Sequence, residues 1–306
     1  MKPLSGLKVL DLSQRLPGPL AGMLLADLGA EVVKLENLPT PDPFLDEEMA
    51  QVDDGFLEWY QQLNGGKKIE RLDFGVSASE GEIRNKLQWA DIVLMGLSPR
   101  WVERFKLSHE HLLKLTKPIA ILQLGASRDK GAMHDLNALA ESGLLQLHVS
   151  QSSSTVLAPP FLPIAGISFG QQIALQALAL HRQAQQNQKP AISQVFLYDE
   201  ILKVYRPFWT QNLKQQNRTK FLHNGKYPCY ALYRTRDGNW VAVAAVESKF
   251  WQEFVQLLGL KLTVEERFST KADVFQHVAN TIEARTTAEL DGLLKGKDIC
   301  VSLIRS

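Results

Sequence analysis

Residues Leu7 to Leu12 read LKVLDL, a short apolar run rich in strand formers. The apolar positions that follow, Leu20, Met23, Leu24 and Leu28, recur at helical spacing. Pro19 suits the first turn of that helix and Gly29 its C-terminal cap. EVVKLE, 31–36, is strand-like again. Strand, helix, strand is the unit of a parallel sheet with a right-handed crossover. The same reading predicts strands at 67–73, 92–96 and 118–124, with helices near 78–90 and 99–115. The fold class expected is α/β: a Rossmann-like large domain with a parallel sheet over residues 1–185.

The next segment, PPFLPIAGISFGQQIALQALAL at 159–180, carries no charge and looks like a hinge at Gly166 feeding a helix. The acid-free zone is wider still. No Asp or Glu occurs from Ser142 to Tyr198, in a chain that has 33 of them. The glutamine-rich stretch 181–190 reads as an exposed helix end or linker, and 195–213 as an amphipathic helix interrupted at Pro207. Linker helices are thus expected over 186–224. Beyond them, two strand-like runs flank Asp237-Gly238, a hairpin signal, and helices are expected at 248–259 and 286–295. Residues 225–306 form a smaller α+β domain in this reading.

Composition narrows the function classes. With 306 residues, 45% apolar and 22% charged, the chain has the composition of an ordinary globular protein, which argues against disorder. A net charge of +1 disfavours nucleic acid as the main partner. Cys229 and Cys300 make neither a disulfide framework nor a zinc pattern, which points to a reducing compartment. No uncharged run spans a bilayer, and the first apolar run is too short for a secretory signal. The expectation is a cytoplasmic protein with no membrane partner.

Several residues invite chemical readings. Glu36 ends the second strand, where dinucleotide sites place a ribose-binding acid. The turn before it, SQRLPGPLAG, has no G-x-G-x-x-G, and Pro19 removes an N–H that would face a pyrophosphate. His134 and Asp135 stand at the start of a predicted helix, and a histidine there can move protons near neutral pH; the ordinary alternative is a surface or capping role. Glu247 follows an apolar strand, where an acid commonly caps the next helix, here with Ser248 assisting. His109 and His111 diverge at i, i+2 with no third ligand nearby, so no metal site is expected.

Taken together, these stretches resemble the class III CoA-transferase family, the group of carnitine CoA-transferase and bile-acid-inducible protein F. The likeness runs nearly end to end. It opens with PLSGLKVLDLSQRLPGPLAGMLLADLGAEVVKLE at 3–36 and continues through LNGGKKIERLDF, 63–74, and ADIVLMGLSPRWVERFKLS, 90–108. HDLNALAESGLL, 134–145, is similar to the segment bearing the histidine of α-methylacyl-CoA racemase. GKYPCYALYRTRDGNWVAVAAVESKFWQEFVQLLGL, 225–260, is similar to the small-domain signature, and looks most like the racemase branch.

The resemblance implies an interlocked homodimer, coenzyme A carried as an acyl-CoA thioester, and two chemistries. Transferases of the family use an aspartate nucleophile, and racemases use two acid/base groups on opposite faces of the α-carbon. By position His134 matches the racemase histidine, and Glu247 the acid of the small domain. The family aspartate falls at Gly166, which can neither attack nor take a proton. Ser168, two residues on, has an unactivated hydroxyl. Two-base racemisation is therefore expected to fail. Asp135 is a third candidate, but its azimuth, about 100° from His134, argues against its replacing the lost acid. Gln14, Arg15, Lys67, Lys68 and Arg100 sit in or beside family positions that line the CoA groove.

Other departures accompany the glycine. LGASRDKGAM, 124–133, stands where the family has a glycine-rich loop, and Ala138, Asn37 and Ser98 replace a tyrosine and two arginines. The chain also stops at DICVSLIRS, where relatives return to the large domain, and the apolar surface this exposes is a further reason to expect a dimer. Three readings follow: an acyl-CoA-handling protein with impaired catalysis, in which His134 exchanges an α-proton with support from Glu247; a non-catalytic acyl-CoA-binding protein or dimer partner; and a nucleotide-binding domain without a CoA role.

Overall fold

The computed structural model describes residues 1–149, 155–160, 162–208 and 222–304. The chain divides into two compact units, 1–210 and 211–306. The first unit runs β1 (Lys8–Leu12), α1 (Pro17–Asp27), β2 (Glu31–Asn37), α2 (Glu47–Val52), α3 (Phe56–Asn64), β3 (Lys68–Leu72), α4 (Ala78–Trp89), β4 (Ile92–Met95), α5 (Pro99–Arg104), α6 (His109–Leu112), β5 (Ala120–Gly125), α7 (Asp135–Glu141), α8 (Leu145–Val149), α9 (Ile164–Asn187), β6 (Ala191–Phe196) and α10 (Leu197–Tyr205). The six strands form one sheet in the order β3-β2-β1-β4-β5-β6, each pair parallel. Helices cover both faces. That is why β4 reads as a continuous apolar run and β1 is interrupted only by Asp11, rather than alternating.

The five strands expected from the pattern are present, and α1 closes as its sequence suggests, with Gly29 at φ +105 just past its end. Two expectations are corrected. The helix expected over 99–115 is two short ones, α5 and α6. The large domain does not end at 185. Residues 191–196 add a sixth strand beside β5, and α10 packs with it, so the first unit extends to Thr210. The glutamine-rich segment is the exposed end of α9, which stops at Gln188 in the left-handed conformation (φ +50).

Helix α9 explains the acid-free zone in part. Its buried face is built of Ala165, Gly166, Phe169, Gly170, Ile173, Ala174 and Ala177. A Cβ on Gly170 would stand 2.9 Å from the Pro17 carbonyl oxygen, a backbone atom that cannot turn aside. Only glycine lets α9 lie this close to the start of α1. Deeper along that face than Gly166, a carboxylate would be stripped of water.

The second unit contains an antiparallel sheet of β7 (Ala231–Arg234), β8 (Trp240–Val243) and β9 (Val301–Ile304), in that order. Gly238, at φ +84, turns the hairpin between β7 and β8. Against the sheet pack α11 (Ser248–Leu258), α12 (Ala272–Glu283) and α13 (Thr287–Leu294), around a core that includes Trp251, Phe254, Val278 and Ile282. α11 and α13 were expected; α12 and β9 were not. Both cysteines are free. Cys229 is buried, which pushes its thiol up to about 11, and Cys300 is exposed. Among the described residues no helix is long and apolar enough to cross a membrane, and no three His, Cys, Asp or Glu side chains gather to hold a metal ion.

Candidate functional site

A parallel sheet presents all its strand C-termini on one edge, and in the order β3-β2-β1-β4-β5-β6 the strands run outward to one side of β1 and then, from β4 on, to the other. Open α/β sheets bind ligands at that crevice. Three loops meet this edge: the loop after β1 with Gln14 and Arg15, the turn after β4 leading to Arg100, and the loop after β5 leading to His134 and Asp135.

Beneath the first loop lies a buried charge network that the sequence analysis missed. Asp11 in β1 and Lys34 in β2 sit opposite each other in register. The Lys67 ammonium donates to Asp11 Oδ2 at 2.8 Å, to the Pro19 carbonyl at 2.8 Å and to Asn64 Oδ1 at 2.9 Å. Lys34 donates to the Ser13 carbonyl at 2.6 Å and pairs with Asp42 at 3.3 Å and Glu36 at 3.8 Å. All five side chains are essentially inaccessible to water. A Cβ on Gly22 would stand 2.9 Å from both the Asp11 carboxylate and the Lys67 nitrogen, so glycine at this point of α1 makes room for the pair.

The network straps the loop that follows β1. Asp11 accepts from the Ser13 N–H at 3.0 Å and also from its hydroxyl. Asp42 accepts from the Arg15 N–H at 2.9 and 3.1 Å, while Arg15 holds a left-handed backbone at φ +63. That conformation is costly for a residue with a side chain and persists only where neighbours hold it. The exposed side chains of Gln14 and Arg15 are thereby presented from a rigid support.

Burial pushes the Asp11 carboxyl upward, but Lys67, Lys34 and the Ser13 hydroxyl together hold it below its ordinary range. A carboxyl depressed on folding adds stability above its unfolded value, near about 4, which is lost as pH falls through the folded one. Urea unfolding of the wild type and Asp11→Asn from pH 7 to pH 3 should show a gap that is widest at neutrality and narrows in acid. A gap that stays constant would contradict the pairing.

The other expected residues divide clearly. Lys67 has no proton left for a phosphate, so the structure corrects its assignment to the CoA groove. Lys68 is exposed and bound to Glu70 at 3.0 Å at the start of β3, the end away from the candidate edge. Arg100 is exposed, its guanidinium over the Trp101 ring at 4.9 Å. Glu36 is no ribose ligand here: Arg71 Nε at 3.0 Å and the Tyr60 hydroxyl at 2.9 Å occupy its carboxylate. α1 opens with Pro17 and keeps Pro19 in its first turn, so it offers a pyrophosphate few N–H groups. These two facts count against the nucleotide-binding reading.

His134 occupies the cap position before α7, exposed, its backbone N–H held by Asn137 Oδ1 at 3.1 Å. Asp135 points elsewhere, and its Oδ1 accepts the N–H of Gly166 at 2.7 Å. A Cβ on Gly166 would meet Leu16 Cδ2 at 2.8 Å and Asp135 Oδ1 at 3.7 Å. Leucine and carboxylate thus crowd the space a side chain at 166 would claim. The Ser168 hydroxyl lies 3.2 Å from that of Tyr205. In the second unit Glu247 is exposed at the cap of α11, and its carboxylate makes no capping bond to the helix.

Comparison with known proteins gives one consistent result. The model of CoA-transferase family III matches residues 4–306. A CaiB/baiF CoA-transferase family protein of Caenorhabditis elegans is 26% identical over 310 residues, covering 98% of this chain and 85% of its own length. The α-methylacyl-CoA racemase of Mus musculus is 27% identical over 311 residues, covering 98% and 77%. Among solved structures, a CAIB/BAIF family protein from Brucella suis superposes with a TM-score of 0.76 at 18% identity, over 100% of this chain and 84% of the other, which speaks for the fold alone.

Proposed function

The chain belongs to CoA-transferase family III, whose members act on CoA thioesters, and on that premise we propose that it binds an acyl-CoA and exchanges the proton next to the thioester carbonyl, without transferring CoA. The observation that carries this reading is the pairing of an exposed His134 with a side-chain-free position 166, packed by Leu16, on the same sheet edge. Transfer needs a nucleophile at the acyl carbon, and glycine offers none. The Ser168 hydroxyl has Tyr205, not a base, as its neighbour. A thioester α-proton, in contrast, needs a base and stabilisation of the enolate. His134 serves as the base, since an imidazole ring nitrogen can accept a proton and this ring is exposed at the sheet edge.

Gln14, Arg15 and Arg100 supply the CoA contacts in this reading. Guanidinium groups suit phosphates because they donate two parallel hydrogen bonds. Glu247 is kept as a supporting acid on its family position, and the working assembly is a homodimer, which light scattering at micromolar concentration checks. The test of the whole reading is calorimetric titration with CoA. A dissociation constant below about 1 mM is expected, equivalent to about −4 kcal/mol, weakened in Arg15→Ala and Arg100→Ala. No affinity at millimolar concentration would end it. Binding without any α-proton exchange would select the non-catalytic acyl-CoA-binding role.

A further inference from the structure

The loop after β5 carries a cation that no described acid engages. Phe196 ends β6 opposite Gly125, the last residue of β5. A Cβ on Gly125 would stand 2.6 Å from the Phe196 ring, so glycine leaves the ring its place there. The Arg128 guanidinium lies over that ring, 4.9 Å from its centroid. Among the described residues it has no ion pair and no hydrogen bond, and its side chain is exposed. The loop itself is docked. The Ala126 carbonyl accepts the Tyr198 N–H at 3.1 Å, and Ser127 Oγ accepts the Lys130 N–H at 3.1 Å. The Lys130 ammonium lies over the Tyr198 ring at 5.0 Å and pairs with Glu141. Two residues back along each strand, on the same face as Phe196, Gln194 donates to Gln123 Oε1 at 3.2 Å, and the pair adds amide groups to this corner of the sheet.

We infer that Arg128, held over Phe196 at the C-terminal edge of the sheet, anchors a subsite that binds a carboxylate. A guanidinium lying over a ring keeps its N–H fork free at the edge, and that fork matches the two oxygens of a carboxylate. The stack also holds the side chain before a ligand arrives, so less freedom is lost on binding. Charge favours a carboxylate over a phosphate. Lys130 is engaged by Glu141, and Asp129, exposed and next in the chain, opposes a second negative charge. One guanidinium suits one negative charge, whereas a phosphate monoester carries nearly two. Two sources present such a group: the far end of a dicarboxylic acyl chain on CoA, or a free carboxylic acid. The subsite stands apart from the acyl-CoA reading above, and only its acyl-tail source rests on that reading.

Calorimetric titration of the wild type and Arg128→Ala with three probes tests this: glutaryl-CoA, pentanoyl-CoA and free glutarate. The first two share a carbon chain and differ in its end, a carboxylate or a methyl group. Glutaryl-CoA should bind about 10-fold or more tightly than pentanoyl-CoA, the worth of hydrogen bonds to a charged group. That preference should vanish in Arg128→Ala and return only in part in Arg128→Lys, which keeps the charge without the fork. This result assigns the carboxylate to the acyl tail. Glutarate binding that depends on Arg128, with no preference between the thioesters, assigns it to a free acid. No preference and no Arg128-dependent glutarate binding would overturn the inference. So would a preference that survives in Arg128→Ala, or an equal loss for both thioesters, which would make Arg128 a contact to the CoA phosphates. Pentanoyl-CoA reports on the acyl-CoA reading separately: if neither thioester binds, that reading falls and the glutarate titration alone decides the subsite.

Discussion

Replacing Lys67 with methionine should destabilise the protein by about 3–5 kcal/mol, the usual cost of removing one partner of a buried ion pair. Methionine fits the volume of the lysine stem, so packing changes little. What changes is charge: Asp11 is left as a carboxylate with no access to water, its 2.8 Å partner gone. The Pro19 carbonyl and Asn64 Oδ1 lose a donor as well. Urea unfolding at neutral pH measures the loss, and Lys68→Met is the control. Lys68 is 71% exposed beside Glu70, and surface changes of that kind stay within about 0.5 kcal/mol. Equal effects at the two adjacent lysines would contradict the description of the network. Because the same network straps the Arg15 loop, the surviving folded fraction of Lys67→Met should also bind CoA more weakly.

His134→Ala should reduce deuterium uptake at the α-carbon by about 10²–10⁴-fold, the range for losing a positioned general base. The fold should survive. The His134 side chain is exposed, and the backbone N–H that Asn137 holds is kept by alanine. CoA affinity should therefore be unchanged, so that kcat falls while binding does not. Unchanged uptake in a folded His134→Ala would transfer the chemistry to another group.

The parts of the fold legible in sequence were those with a strong period. β4 and the first half of β5 are apolar and buried, β1 and β2 carry buried apolar pairs, and α1 carries a helical stripe between a proline and a glycine. β6 was hidden because it lies at the sheet edge with Ser193 and Gln194 in its middle, directly after the polar end of α9. α12 did carry a signal, since Val274, Val278 and Ile282 repeat every four residues on its buried face. The charge network had one too: Asp11 and Lys34 interrupt runs that must be buried, and a buried charge must be paired. What no local pattern could show is who pairs with whom, because Lys67 and Asp11 are 56 residues apart.

The site was legible unevenly, for the same reason. His134, Glu247 and the glycine at 166 came from matching positions in a known family, and it is the membership of that family that the family model shows. Lys67 was read as a groove residue because a lysine is usually exposed, whereas here three internal acceptors take up its protons. The contact between Asp135 and the Gly166 N–H depends on how α7 and α9 pack, which is a tertiary fact.

The proposed chemistry runs at the α-carbon of the acyl group, not at its carbonyl. One mass spectrum tests that most directly: wild-type protein, a 2-methylacyl-CoA, a carboxylic acid acceptor and heavy water, with the thioester pool analysed over time. The expected result is a gain of deuterium at the α-carbon with the original thioester intact. A new thioester on the acceptor acid, formed while the α-hydrogen of the donor stays unexchanged, would contradict it.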